Sequence, residues 1–480
     1  MSLGKTCGKL EILIIHDAIL PPQSDRGGRT SVLQGAFSVI RELLHHDKKI
    51  LCSVFPTLIQ NRLKKEITLT EGSRVFKTWK SPPAKIYMQY FFFNVTNPEV
   101  FLSGGLATVK EVGPYTFREY RPRENVTFVD NGTKVSAHTA KSFVFLPEQS
   151  VGDPEVDLVT TINIPALAVM NKMSGNFFMS TMVSMWMNSK GEENYMDFGK
   201  IHTWKGQRET TWWTSKESNM INGTDGGGFH PFVSKDEQLY VFTADLCRSI
   251  YVTFVKEVEI KGIPAYRFAP PRDVLASHEE NPANEGFCVP AGNCLGTGVL
   301  RVNECRKGAP IVVSFPHFYH GAEEYINGVE GLSPNQEHHE TFLDINPTLG
   351  IPIRASKRAQ INVNLKRISG FPVTRKFKPT VFPVLFVNES VVIDDESAAK
   401  MRTMLLMVML VSNFPLLIVG LGTILLIIFI ILIVRSRQKK TTAVEDTDYK
   451  QVSDKPDEDL SDPQKNGSFI AMSPMEGEKC

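Results

Sequence analysis

The residues with the greatest chemical capacity are cysteines and histidines gathered in the second half of the 480-residue chain. Cys247, Cys288, Cys294 and Cys305 stand close together, and no cysteine lies between Cys52 and Cys247. A clustered, even set of cysteines forms disulfides in an oxidising compartment and holds zinc in a reducing one. Cys288 and Cys294 lack C-x-x-C spacing, and the nearby histidines show no ligand pattern, so the reading is disulfides. His317, His320, His338 and His339 have the chemistry of a metal ligand or a general base. No companion signature supports either role. The chain has no G-x-S-x-G turn, no P-loop and no H-E-x-x-H helix. Gly296-Thr297-Gly298 has the first two glycines of a dinucleotide loop, but it follows the cysteines rather than opening a helix. The expectation is a binding protein, with no catalytic residue, metal or cofactor.

Disulfides need a lumenal or extracellular setting, and the sequence provides a topology for one. Met404 to Val434 carries no charge. Pro415–Val434 alone, about 20 residues, makes roughly 30 Å of helix and matches a bilayer core. Arg435, Arg437, Lys439 and Lys440 follow at once, which places the C-terminus in the cytosol. The sequons at Asn94, Asn125, Asn131, Asn222 and Asn388 all precede this segment and are predicted to carry glycans, whereas Asn466 follows it and should not. Charged residues are 22% of the chain and the net charge is +1, so no basic excess points to nucleic acid.

The part before the membrane segment reads as β-rich. Lys85–Asn94, Leu239–Phe242, Ile250–Phe254, Pro310–Phe315 and Gln360–Leu365 are short, aromatic or β-branched, and bounded by turn residues. Gln360–Lys366 alternates as a half-buried strand should. Methionines at 170, 173, 179, 182 and 185 predict a helix over Met170–Met187 with the sulfurs near one face, either core packing or an adaptable ligand mouth. Arg435–Cys480 is charged, contains Pro456, Pro463 and Pro474, and reads as a disordered cytosolic tail. Within it, Tyr449 and Val452 have the spacing at which an extended peptide fills two pockets of a sorting adaptor.

Longer motifs resemble the class B scavenger receptors, the family that includes fatty acid translocase and a lysosomal integral membrane protein. They are FFFNVTNP (Phe91–Pro98), EVGPYTFREY (Glu111–Tyr120), SVGDP (Ser150–Pro154), NMINGTDG (Asn219–Gly226), CRSIYVTF (Cys247–Phe254), GIPAYRF (Gly262–Phe268), SFPHFY (Ser314–Tyr319) and LDINPTLGIPI (Leu343–Ile353). The stretch Gly286–Pro310 is most similar to the cysteine loop of the lysosomal member. The resemblance implies pairing of Cys247 with Cys305 and of Cys288 with Cys294. A third bridge of fatty acid translocase has Ser218 and Gly286 in its two places here. The implied fold is a β-rich α+β ectodomain: an antiparallel β-barrel-like body over 54–400, an internal apolar tunnel and a helical cap. A transmembrane helix over 404–434 and the tail over 435–480 complete it.

The implied function is to bind a lipid (sterol, fatty acid or phospholipid) and move it through the tunnel, without catalysis. An escort role for the lysosomal enzyme β-glucocerebrosidase comes with the likeness, and the expected site is the lysosomal or endosomal membrane. The alternatives are a cell-surface lipoprotein or fatty-acid receptor and a structural lysosomal glycoprotein. Three departures qualify the likeness. Residues 1–53 lack the family's first membrane helix, Leu10–Leu20 being short and broken by Glu11, His16 and Asp17. After Asn188-Ser189-Lys190 the sequence skips a stretch of cap. Asn176 stands where the lysosomal member has a histidine tied to enzyme binding, and asparagine cannot sense pH. Met173, Met179, Met182 and Lys190 remain the ligand candidates of the shortened cap, Lys190 as a partner for a lipid carboxylate.

Overall fold

Aromatic and β-branched runs dominate the chain after residue 85, and they pair almost wholly antiparallel. A computed structural model describes residues 69–82, 84–172, 184–189, 194–368 and 374–452. Its large sheet contains β1 (Ile86–Val95), β2 (Val109–Tyr120), β5 (Ser142–Phe145), β8 (Leu239–Thr243), β9 (Arg248–Ile260), β10 (Ile263–Ala269), β11 (Val299–Arg301), β12 (Ile311–Ser314), β13 (Phe342–Asn346), β14 (Ile351–Leu365) and β15 (Thr380–Val392). The order is β5-β2-β1-β15-β14-β13-β10-β9-β8, with β12 also on β14 and β11 on β12. A smaller sheet, β3 (Arg123–Val129), β4 (Lys134–Thr139), β6 (Ser184–Ser189) and β7 (Ile201–Trp204), has the order β3-β4-β6-β7. Each strand predicted from the sequence lies on an observed one. The β9–β10 hairpin turns at Lys261 and Gly262, both at positive φ (51° and 74°), as a two-residue type I′ turn requires.

The chain divides into two compact units, Met1–Ser412 and Asn413–Cys480. In the first, Phe93, Val363, Leu365 and Phe382 pack with Leu167 of the helix Ile164–Lys172. A second core gathers Trp213, Leu246, Val274, Leu300 and Val313 around the bonded pair Cys247–Cys305, and Cys288–Cys294 is bonded as well. Asp344 is fully buried at the β13 edge, where Arg267 and Arg354 clamp it at 2.7 Å each. Ser218 and Gly286 are neighbours, since a Cβ on Gly286 would come 2.2 Å from Ser218 Oγ. The two positions that the resemblance assigns to a third bridge are therefore adjacent in space.

Four expectations change. The helix over Met170–Met187 is not continuous: a helix ends at Lys172 and β6 occupies Ser184–Ser189, while 173–183 lies outside the described residues. Met185 and Met187 are two residues apart, and their alternation belongs to the strand. In Gln360–Lys366 the polar positions do not face solvent: Gln360 and Asn362 are buried as well as Val363 and Leu365, beside a bulge that leaves Val384 of β15 without a partner on β14. The tail is helical as far as Val452, because the helix Asp395–Val452 continues through good helix formers such as Ala443, Glu445 and Lys450. Lastly, Met404–Val434 lies inside that helix with side chains such as Leu421 and Phe429 each 60% exposed, yet among the described residues no helix is long and apolar enough to cross a membrane. The side chains at 412, 414–417 and 419, within the apolar run, are outside the described set.

The Cys247–Cys305 bond closes a loop of 58 residues. Cys247→Ser and Cys305→Ser should each cost about 4 kcal/mol, and the double variant no more, because the pair acts as one unit. Denaturant midpoints of the three variants check this, and additive losses would argue against a shared bond.

Candidate functional site

Successive residues of a strand face opposite sides of the sheet, so β1, β14 and β15 present two distinct surfaces. On one surface Lys357 of β14 lies opposite Glu389 of β15, which in turn lies opposite Met88 of β1. Tyr90 and Val387 continue this surface one pair further on, and Tyr90 meets Phe117 edge-on with ring centres 5.7 Å apart. The charges form a series of alternating sign. Lys357 Nζ is 2.5 Å from Asp245 Oδ2. Arg121 Nη2 lies 2.7 Å from Glu389 Oε1 and 2.9 Å from Glu119 Oε2, and Lys141 reaches Glu119 at 3.2 Å.

These groups combine two properties that usually exclude each other. The side chain of Asp245 is 63% exposed and that of Lys357 37%. Protein nevertheless surrounds them so thickly that burial enters strongly into their titration. Lys357 holds its Asp245 partner well below the usual carboxylate range, against burial. Burial opposes charge on Lys357 and on Glu389, but the attraction of Asp245 for the first and of Lys357 and Arg121 for the second outweighs it. Lys357 therefore ends above, and Glu389 below, its ordinary value.

The opposite surface carries a cavity of about 520 Å³ whose lining includes Gln89, Glu111, His317, His339, Arg358 and Asn388. The His317 and His339 rings stack with centres 4.3 Å apart, and both residues are buried. His317 Nε2 is 2.7 Å from Glu111 Oε2. Its backbone N–H donates to Gln360 Oε1 at 2.6 Å, Gln360 Nε2 donates to Asn362 Oδ1 at 2.7 Å, and Asn362 Nδ2 donates to Ser314 Oγ at 3.0 Å. That buried polar chain fixes a backbone held at positive φ at His317, Phe318 and His320. Burial, then the nearby His317 and Arg358, push His339 down to about 3.

Of the residues singled out in the sequence, His317 and His339 come together, whereas His338 is exposed at the rim and His320 stands apart from the cavity. Glu111, far from both in sequence, was missed, and nothing local marks it. The sequons at Asn125 and Asn131 are exposed, those at Asn94 and Asn222 are half-buried, and Asn388 lies on the cavity wall, where Ser356 Oγ donates to its Oδ1 at 2.6 Å. Tyr449 and Val452 lie within one helix, so adaptor binding in extended form would require that turn to unwind. Met173, Asn176, Met179, Met182 and Lys190 lie outside the described residues.

Comparison with known proteins gives the context. A profile of the CD36 family matches residues 49–193 and 187–433. Lysosome membrane protein 2 of Homo sapiens is 40% identical over 426 residues, covering 78% of this chain and 88% of that protein. The Mus musculus protein of the same name is 40% identical with the same coverage. Scavenger receptor class B member 1 of Mus musculus is 31% identical over 449 residues, covering 81% of this chain and 87% of that protein. The 426 aligned positions exceed what 78% of 480 residues provides, so lysosome membrane protein 2 carries residues without a counterpart here. The two profile matches meet at 187–193, around Lys190.

The depressed value of His339 has a definite sign. An imidazole of the unfolded chain takes a proton near pH 6.5, whereas the folded one refuses it down to about 3. This contribution is fully present above about pH 6.5 and is lost progressively as the pH falls toward 3. His339→Phe keeps a stacked ring without the titration, so its thermal midpoint should fall less between pH 7 and pH 4.5 than that of the parent. An identical fall would show that His339 titrates freely.

Proposed function

The chain belongs to the CD36 family, and on that premise we propose that it is a lipid-handling membrane glycoprotein that passes lipid through an internal channel. Its relatives are named as a lysosome membrane protein and a scavenger receptor rather than as enzymes. One observation carries the reading: on the surface with Tyr90, Lys357 and Glu389, protein crowds closely around the Lys357–Asp245 pair and still leaves both side chains open to solvent. Groups that line an internal passage have that combination. Met88, Val387 and the ring pair Tyr90–Phe117 give the same surface apolar stretches. An acyl chain or sterol body lying along them gains about 0.8 kcal/mol for each CH₂ removed from water. The paired charges leave no unneutralised ion in the way.

In this proposal 404–434 crosses the bilayer, the tail is cytosolic, and 54–400 stands in the lumen with glycans on the sequons before the helix. Residence in the lysosomal or endosomal membrane follows the 40% likeness to lysosome membrane protein 2. A receptor role for β-glucocerebrosidase is a second reading. The junction at 187–193 falls where cap sequence is missing, so we expect such binding to be weak or lost. Recovery of the enzyme in a pull-down at the level of a full-cap family member would reverse that expectation.

Obstruction tests the channel itself. Val387→Trp adds bulk on the same surface as Glu389 without removing a charge. Transfer of a fluorescent sterol or fatty acid between vesicles by the purified full chain should fall to near background while the thermal midpoint stays within a few degrees. Unchanged transfer by a folded variant would refute passage along this surface.

A further inference from the structure

The conduit leaves the cavity around His317 and His339 without a use, because Gln89 and Asn388 face away from Glu389 and Lys357. Two hydrogen bonds decide what this cavity can hold. The Ser333 N–H donates to His317 Nδ1 at 3.0 Å, and the Asn335 N–H donates to His339 Nδ1 at 2.9 Å. A ring nitrogen that accepts carries no proton, so each neutral ring must carry its proton on Nε2. His317 directs that proton to Glu111 Oε2 at 2.7 Å. His339 Nε2–H makes no hydrogen bond to another described residue and remains a donor.

Glu111, His317 and His339 look like a metal-ligand set, with one potential ligand atom of each within 4.8 Å of the others. The tautomers argue against a metal. A ligating imidazole offers a lone pair on one nitrogen and donates from the other. Here Nδ1 faces a backbone donor in both rings, and the proton occupies the nitrogen a metal would need.

The rest of the lining narrows the ligand further. Arg358 brings a guanidinium whose Nη1 donates to the Glu337 and Glu340 carbonyls at 3.0 and 2.7 Å, and it has no carboxylate partner among the described ion pairs. Glu111, its side chain 35% exposed, brings accepting oxygens, while Asn388 Nδ2 donates a hydrogen bond to Gln89 Oε1 at 2.9 Å. An anion would meet Glu111, a cation would meet Arg358, and a hydrocarbon would bury these groups unpaired. A neutral ligand with several groups that both donate and accept satisfies them all.

We propose that this cavity binds the hydroxyls of a saccharide ring, one hydroxyl accepting from His339 Nε2–H and donating to Glu111. The volume of about 520 Å³ admits one or two rings. The sequon Asn388-Glu389-Ser390 opens onto the same wall, so the sugar comes either from the chain's own glycan or from a free or partner glycan.

The test uses the full chain from glycosylating cells, as parent and as Ser390→Ala, which abolishes the sequon and leaves Asn388 in place. The probe is N-acetylglucosamine, followed by saturation-transfer NMR and calorimetry. Ser390→Ala should bind it, and Glu111→Gln or His339→Phe in that background should weaken binding about tenfold or more, the worth of one hydrogen bond to a charged or buried group. Glu111→Gln changes a partly exposed group, and its thermal midpoint separates lost binding from lost folding. Binding by Ser390→Ala alone identifies the chain's own glycan as the occupant, and binding by both forms identifies a free site. No binding by either form, or binding indifferent to both cavity substitutions in folded protein, overturns the proposal.

Discussion

Strand β14 is hydrogen-bonded on both edges, to β15 along nearly its whole length and to β13 and then β12 on the other side. A strand held in this way has no freedom to rotate, so each side chain is committed to one of two surfaces. Lys357 goes to one and Arg358 to the other, although they are adjacent in sequence. The same commitment in β15 separates Glu389 from Asn388. The separation of the two candidate sites follows from this pairing. Where β15 bulges at Val384, β14 is covered on both surfaces, so Gln360 and Asn362 are buried on one and Val363 on the other.

Those two buried amides link the strand to the histidines. An unpaired buried amide costs about 1–3 kcal/mol, so the chain from the His317 backbone through Gln360 and Asn362 to Ser314 holds only as a complete set. It also holds the left-handed backbone at His317 and Phe318 in place. The charged series on the other surface is constrained in a comparable way. Removing one member strands an ion in protein that surrounds it closely, whereas alternation of sign lets each charge be shared between neighbours. Glu119, whose side chain is fully inaccessible, tolerates this because both Arg121 and Lys141 reach it.

The sequence showed this architecture unevenly. Strands and disulfides were legible because their signals are local or compositional: aromatic runs between turns, and clustered cysteines. The methionine spacing near 182 misled because a three-residue period and a two-residue period coexist in Met182, Met185 and Met187, and strand pairing with β4 and β7 settled the choice. The tail misled because low hydropathy argues against a packed core but says nothing against an extension of a helix already formed. The histidine cavity was half legible. His317 and His339 drew notice by type, but Glu111 comes 206 residues earlier and meets them only through the β1–β2 and β1–β15 pairings. A sequence read in windows has no means of joining residues so far apart.

Acidity acts differently on the two surfaces, which bears on where such a protein can work. The carboxylates of Asp245 and Glu389 have values below their ordinary range, so the stability they contribute is present above that range and is lost only as the pH falls through the lowered values. Asp245 and Glu389 therefore stay ionised in a mildly acidic lumen. On the other surface, His339 stays neutral in the same lumen because burial and its neighbours oppose its proton. A positive charge there would break the bond from the Asn335 N–H to Nδ1 and put like charge beside Arg358. Asp245, Glu389 and His339 thus keep at mildly acid pH the charge they have at neutrality, the carboxylates by holding their ionised form and the imidazole by refusing a proton. A protein that passed lipid along the first surface in the way proposed, on either side of an acidification step, would need that constancy.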